Sequence, residues 1–240
     1  MKTILILIFL VIFLVVSLPI QGILWLYGKK NKESADYISL HIVNWAFGVI
    51  RLISGVHPQI KGLENIPKDQ SVLFIGNHSS FFDVILTYPL MERRTGYISK
   101  KEFEKVPLLP IWMKRLYCLF LDRSTPKEGL KTILKAIDYI KEGISIFVFP
   151  EGTRSKDGTL GEFKAGAFKI STKTNCPIIP VAITGTRDVF EGHFPWVKKA
   201  PVQITFGEAI LPDALSLEDK KHISDYTKTK LEEMLAEQRG

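Results

Sequence analysis

Residues 117–149 read YCLFLDRSTPKEGLKTILKAIDYIKEGISIFVF, and this stretch decides the fold class. It opens on the apolar run Tyr117–Leu121 and closes on the β-branched and aromatic run Ile144–Phe149. Both read as strands. Between them, Ser124 or Thr125 can cap a helix and Pro126 suits its first turn. Leu130, Ile133, Leu134, Ile137 and Ile140 then share one face, with Lys127, Lys131 and Lys135 off it, and Gly143 ends the segment. Working outward, further strands are expected at Val72–Ile75, Tyr97–Ser99, Ile178–Ile183 and Val202–Phe206, with helices at Phe163–Lys173 and from Ser216 to the C-terminus. The alternation predicts an α/β fold: a mixed, largely parallel sheet flanked by helices, with functional residues at the C-terminal ends of its strands.

The N-terminal quarter has a different composition. From Ile4 to Leu26 the chain is apolar except at Ser17, Pro19, Gln21 and Gly22. That exceeds the roughly 20 residues that cross a bilayer. No Ala-x-Ala site closes it, which favours a retained anchor over a cleaved signal peptide. A second apolar segment, Tyr37 to Val56, carries His41, Asn44, Gly48, Arg51 and Gly55 as a narrow polar stripe. It can pack on the first helix, lie in the membrane interface or be a buried core helix. Two full spans would place Lys29, Lys30 and Lys32 outside with only Lys2 inside, against the positive-inside tendency. The expectation is therefore a two-helix membrane anchor at 1–56, either a hairpin dipping into the cytoplasmic leaflet or one span followed by an interfacial helix, and a single domain at 57–240 on the cytoplasmic face.

The net charge is +7. The aromatic residues sit within apolar runs and are not interleaved with Lys and Arg, so a nucleic-acid platform is not expected. Beside a membrane anchor, the excess charge suits anionic lipid headgroups. The two cysteines, Cys118 and Cys176, form neither a disulfide framework nor a metal site. No metal or other cofactor is expected.

Four segments place chemistry at strand ends or loops, and a fifth has none of its own. In Asn77-His78-Ser79-Ser80-Phe81-Phe82-Asp83, four residues lie between His78 and Asp83. A neutral imidazole can take a hydroxyl proton near pH 7 while a carboxylate on its other nitrogen fixes the tautomer. The same spacing fits a capping box in which Ser80 and Asp83 open a helix. Phe149-Pro150-Glu151-Gly152-Thr153-Arg154-Ser155 follows a strand and offers a forked guanidinium to a phosphate or carboxylate, or is a plain surface loop. Leu119-Phe120-Leu121-Asp122-Arg123-Ser124 and Ser99-Lys100-Lys101-Glu102-Phe103 carry charge at strand ends, and Cys176-Pro177-Ile178-Ile179-Pro180-Val181 reads as a strand. There is no Gly-x-Ser-x-Gly elbow and no Walker loop, which favours direct base catalysis over a covalent intermediate.

In this order and spacing, the blocks resemble the glycerophospholipid acyltransferases, most closely the 1-acylglycerol-3-phosphate acyltransferases, across about residues 60–185. The lead-in Lys61-Gly62-Leu63-Glu64-Asn65-Ile66-Pro67 is also similar. The resemblance implies that His78 deprotonates the sn-2 hydroxyl of a lysophosphatidate and that Asp83 orients the ring. The donor would be a thioester of coenzyme A or acyl carrier protein, and the product phosphatidic acid; the alternatives are a related acyltransferase acting on glycerol 3-phosphate or another lysophospholipid, and a non-catalytic membrane lipid-binding protein. It further implies an acceptor-phosphate site at Glu151, Gly152, Thr153 and Arg154, with Lys100 (or Lys101) and Arg123 assisting. One position departs from the family pattern: the second block usually begins with Gly, and here it begins with Tyr117.

Overall fold

A computed structural model describes residues 1–239. In chain order the elements are α1 (Lys2–Gly28), α2 (Lys32–Ser54), β1 (Gln59–Lys61), β2 (Leu73–Gly76), α3 (Phe81–Thr87), β3 (Thr95–Lys100), α4 (Leu109–Arg115) and β4 (Leu119–Leu121). They continue with α5 (Pro126–Lys141), β5 (Ser145–Val148), α6 (Lys169–Thr174), β6 (Ile178–Thr184), α7 (Thr186–Val189), β7 (Gln203–Phe206), α8 (Leu217–Lys221) and α9 (Ile223–Arg239). The seven strands form one sheet in the order β1-β7-β6-β2-β5-β3-β4. Only the β6–β7 pairing is antiparallel, so the sheet is mixed and largely parallel, as expected.

Side-chain alternation along the strands feeds two cores. Val72, Phe74, Phe147, Ile179 and Ile183 point to the face covered by α2, α3 and α4. Leu73, Ile75, Ile146 and Ile178 point to the face covered by α5 and α6, with Ile223 of α9. β2 and β5 are buried along their whole length, which is why they read as unbroken apolar runs.

Several boundaries move for identifiable reasons. The strand expected from Tyr117 begins at Leu119, because Tyr117 takes φ 60°, a left-handed conformation that no strand accommodates. This explains the departure from the family pattern: the position wants a glycine's backbone freedom, and Tyr117 holds it at a cost of about 1–2 kcal/mol. Its hydroxyl bonds to Asp36 and Lys32 of α2. It lies at the N-terminal end of β4, the opposite end of the strand from Arg123. The helix expected at Phe163–Lys173 is instead a 3₁₀ turn at Ala165–Phe168 leading into α6, since Lys164 N donates to Pro150 O at 3.1 Å and holds the chain before it out of a helix. The helix expected from Ser216 is interrupted at His222, dividing it into α8 and α9. β1, a three-residue edge strand, has no apolar alternation to reveal it, and α4 and α7 are similarly short. The second apolar helix starts earlier than expected, at Lys32, because Asn31 caps it by accepting from Ser34 N.

Helices α1 and α2 pack against each other and against the domain. α2 buries Leu40, Val43, Ala46 and Ile50 toward the sheet while Tyr37, Ile38, Trp45 and Leu52 remain exposed. α1 is tied to the domain along its length. Thr3 Oγ1 accepts from Val197 N at 2.8 Å, Ser17 Oγ from Trp112 Nε1 at 2.9 Å, and Gln21 O from Arg115 Nη2 at 3.4 Å. Its outer face (Ile4, Leu7, Ile8, Val11, Val15, Ile23) is exposed and aliphatic.

The β6-to-α7 turn fixes where that part of the site stands. Gly185 takes φ 81°, and a Cβ there would lie 1.9 Å from Pro201 O. Gly185→Ala is expected to lower stability by about 2–4 kcal/mol through backbone displacement. Thermal unfolding in detergent checks this, and a melting temperature equal to wild type would show that the turn relaxes freely.

Candidate active site

β2, β5, β3, β4 and β6 run parallel, so their C-terminal ends share one edge of the sheet. At that edge stand His78, the Phe149–Ser155 loop, Lys100, Asp122–Arg123 and Gly185–Thr186. β2 is central and delivers His78. The residue before it extends the β2–β6 pairing through its side chain: Asn77 Nδ2 donates to Ile183 O and Asn77 Oδ1 accepts from Ile183 N, both at 2.8 Å.

Asp83 is fully buried in the first turn of α3. Its Oδ2 accepts from His78 Nδ1 at 2.8 Å, Ser79 N at 2.8 Å and Ser80 N at 2.9 Å, and its Oδ1 accepts from Thr186 Oγ1 at 2.5 Å. Ser80 Oγ in turn accepts from Phe82 N at 3.0 Å. The two readings of the spacing therefore hold together: the carboxylate caps the helix and faces the imidazole. Because those oxygens only accept, the His78 proton resides on Nδ1 and the lone pair is left on Nε2. The imidazole stacks on Phe149 with ring centroids 4.1 Å apart and planes at 14°. The His78 side chain is 20% exposed, enough for one ring edge to meet a substrate.

Glu151 does not point at an incoming anion. Its Oε1 accepts from His78 N at 2.8 Å and its Oε2 from Gly161 N at 2.9 Å, so the carboxylate joins the two loops from below. Ser155 N donates to His78 O at 2.7 Å and adds a second tie. Gly152 turns the loop at φ 74°, with Arg123 directly over it: a Cβ there would lie 2.7 Å from Arg123 Nη2. Arg123 therefore reaches the loop from β4.

Arg154 is exposed and oriented from two sides. Its guanidinium lies over the Phe81 ring at 4.0 Å, and Nη1 pairs with Glu191 Oε1 at 2.6 Å. Glu191 Oε1 also accepts from Phe81 N at 2.9 Å. Thr153 is exposed beside it. Lys100 ends β3 exposed, whereas Lys101 is engaged with Asp122 at 2.5 Å, an ion pair that holds the Asp122 carboxyl well below the usual range. Of the two lysines, Lys100 is the one with no ion pair.

A polar cleft of about 190 Å³ opens beside His78, lined in part by Ser79, Glu151, Ser155, Gly185 and Arg187. An apolar groove on α2, at Tyr37, Ile38, His41 and Trp45, shares no lining residue with it. Sequence reasoning missed Thr186 and Glu191. Each lies outside the blocks, and only the strand-end turn at Gly185 signals the first.

The acyltransferase family profile matches residues 57–184, more than half of the chain. The chain belongs to the acyltransferase family. A chloroplastic 1-acyl-sn-glycerol-3-phosphate acyltransferase of Brassica napus is 36% identical to this chain over 149 residues, 61% of this chain and 42% of that protein. A 1-acyl-sn-glycerol-3-phosphate acyltransferase of Borreliella burgdorferi is 30% identical over 138 residues, 58% of this chain and 55% of that protein. The chain thus spans about half the length of such relatives. The crystal structure of the 1-acyl-sn-glycerophosphate acyltransferase PlsC from Thermotoga maritima superposes with a TM-score of 0.80 at 25% identity, covering 100% of this chain and 98% of that one.

Burial raises the Glu151 carboxyl above its ordinary 4.5, against the two backbone N–H groups that favour the charged form. The folded protein therefore holds this proton more tightly than the unfolded chain does. The associated stability is fully present below pH 4.5 and is lost as pH rises through the raised folded value. Glu151→Gln cannot ionise, so the stability difference, wild type minus variant, should shift against the wild type as pH rises from 4.5. Denaturant titrations across that interval measure it, and a shift in the wild type's favour would contradict the assignment.

Proposed function

We propose that the protein transfers an acyl group from a thioester of coenzyme A or acyl carrier protein to the sn-2 hydroxyl of 1-acylglycerol 3-phosphate, giving phosphatidic acid. The observation that carries the reading is the Asp83–His78 Nδ1 contact, which leaves His78 Nε2 as the basic nitrogen. Nε2 takes the hydroxyl proton while the alkoxide oxygen attacks the thioester carbonyl carbon. Asp83 steadies the imidazolium. The tetrahedral oxyanion collapses, the C–S bond breaks, and the proton on Nε2 passes to the thiolate. No covalent enzyme intermediate is needed.

The Arg154 guanidinium, stacked on Phe81 and held at Nη1 by Glu191, presents its remaining donors to the acceptor phosphate. Gly152 and Thr153 shape that loop, Arg123 reaches it from β4, and Lys100 supplies further positive charge at the sheet edge. Glu151 positions His78 through its backbone, with its two oxygens engaged by His78 N and Gly161 N.

Residues 1–56 attach the enzyme to the membrane and 57–240 carry the chemistry. The boundary divides roles and not folding units, since Leu40, Val43 and Ile50 belong to the same core as Phe74 and Ile179. α1 has 27 residues and is tied to the domain near both ends. A helix packed lengthwise on the domain lies along one leaflet, its aliphatic face in the lipid, so the anchor dips into the cytoplasmic leaflet and does not cross it.

Thiol release from acyl-CoA in the presence of lysophosphatidate tests the chemistry. His78→Ala is expected to lose about 10³-fold or more in kcat and Asp83→Asn about 10²–10⁴-fold, with folding retained by circular dichroism. Activity within threefold of wild type in a folded His78→Ala protein would remove the imidazole from its role. Arg154→Ala should instead raise the apparent acceptor KM severalfold with a smaller change in kcat. An unchanged KM would place the phosphate elsewhere.

A further inference from the structure

Two of the largest exposed apolar side chains outside α1 and α2 stand together in the loop after α7. Phe194 is 73% exposed and Trp196 is 52% exposed. Lys198 and Lys199 follow, both exposed. An adjacent aromatic pair displayed to water is unusual on a folded domain and marks a contact surface. The loop is not loose. Lys198 N donates to Val189 O at 2.8 Å, Trp196 N to His193 O at 2.8 Å, and Val197 N to Thr3 Oγ1 at 2.8 Å. That last bond joins the loop to the first turn of α1, where the exposed Ile4, Leu7 and Ile8 begin the aliphatic face.

We propose that the 190–200 loop is a second membrane contact, carried by the catalytic domain, which inserts Phe194 and Trp196 into the interface of an anionic bilayer and sets the active-site mouth on the lipid surface. Continuity with the outer face of α1 argues for lipid over a protein partner. So does the chemistry. Indole and phenyl rings favour the headgroup level, and two lysines next to them suit anionic lipid. The loop also reaches the acceptor site. Phe190 stacks edge-on against Phe194 with centroids 5.5 Å apart and lies 6.5 Å from Phe81, the ring beneath Arg154. Glu191, which orients Arg154, is the next residue. Membrane contact at Phe194 and Trp196 therefore holds the phosphate-binding arginine at headgroup depth, where a lysophospholipid phosphate lies. This inference rests on the lipid-acceptor reading above.

The test uses the full-length protein on phosphatidylglycerol-containing vesicles, comparing wild type with Trp196→Phe. The variant is conservative and exposed, so the fold is retained, and the difference in emission reports Trp196 alone. In vesicle-bound protein that difference emission should be quenched by lipids brominated along the acyl chain and shielded from aqueous acrylamide. Full acrylamide access in protein that still floats with vesicles would overturn the loop contact and leave α1 as the anchor. Failure to float at all would overturn both. In a second arm, the Phe194→Ser, Trp196→Ser double variant should raise the apparent KM for lysophosphatidate presented in vesicles severalfold. Its kinetics on a short-chain, monomerically dissolved acceptor should match wild type. Equal KM on vesicles would overturn the coupling, and its failure is distinct from failure of the chemistry, which would remove wild-type activity on both acceptors.

Discussion

The Asp83 carboxylate accepts from His78 Nδ1, Ser79 N, Ser80 N and Thr186 Oγ1, and the rest of the site hangs on that fully buried anion. A buried carboxylate is tolerated only when its charge is matched by donors, and here four converge on two oxygens. Three consequences follow from one group. The N-terminus of α3 is capped, the His78 tautomer is set, and the turn after β6 is locked to the turn after β2. The last of these explains why Gly185 and Ser79 matter: Ser79 Oγ lies 3.0 Å from Thr186 Oγ1, so the hydroxyls form a short chain leading to Asp83 Oδ1.

The imidazole is then fixed from its other sides without losing its reactive edge. Phe149 covers one ring face, the preceding residue Asn77 is clamped to β6 by its own side chain, and Glu151 and Ser155 bind the His78 backbone N–H and C=O. Turning the Glu151 charge inward has an electrostatic consequence. The carboxylate nearest the arginine loop is spent on backbone donors, so it opposes an incoming phosphate less than a free carboxylate at the loop tip would.

Much of this was legible in the sequence where it was local. The helix over 126–141 announced itself through Thr125, Pro126 and its apolar face, and β2, β5 and β6 through their buried runs. His78 and Asp83 lie only five residues apart, so their pairing was visible as a spacing. Thr186 and Glu191 were not. Each meets its partner about a hundred residues or several elements away (Thr186 on Asp83, Glu191 on Phe81 N), and only the sheet order brings them there. Tyr117 was visible as a departure but not as a left-handed residue, because nothing local in an aromatic side chain signals positive φ. Strand length was overestimated there for the same reason.

Glu191 shows how the fold joins two demands that sequence keeps apart. Its Oε1 bonds both Arg154 Nη1 and Phe81 N, so the arginine, the ring it stacks on and the start of α3 share one acceptor. Asp83 holds the same N-terminal end of that short helix through Ser79 N and Ser80 N. His78 and Arg154, the proposed base and phosphate ligand, are thus positioned from two carboxylates that grip a single helical turn. A fixed separation between His78 Nε2 and the guanidinium follows, which the proposed reaction needs, because its hydroxyl and its phosphate belong to one small glycerol backbone. Proximity of that kind lowers the entropic barrier to attack without altering the chemistry of either group.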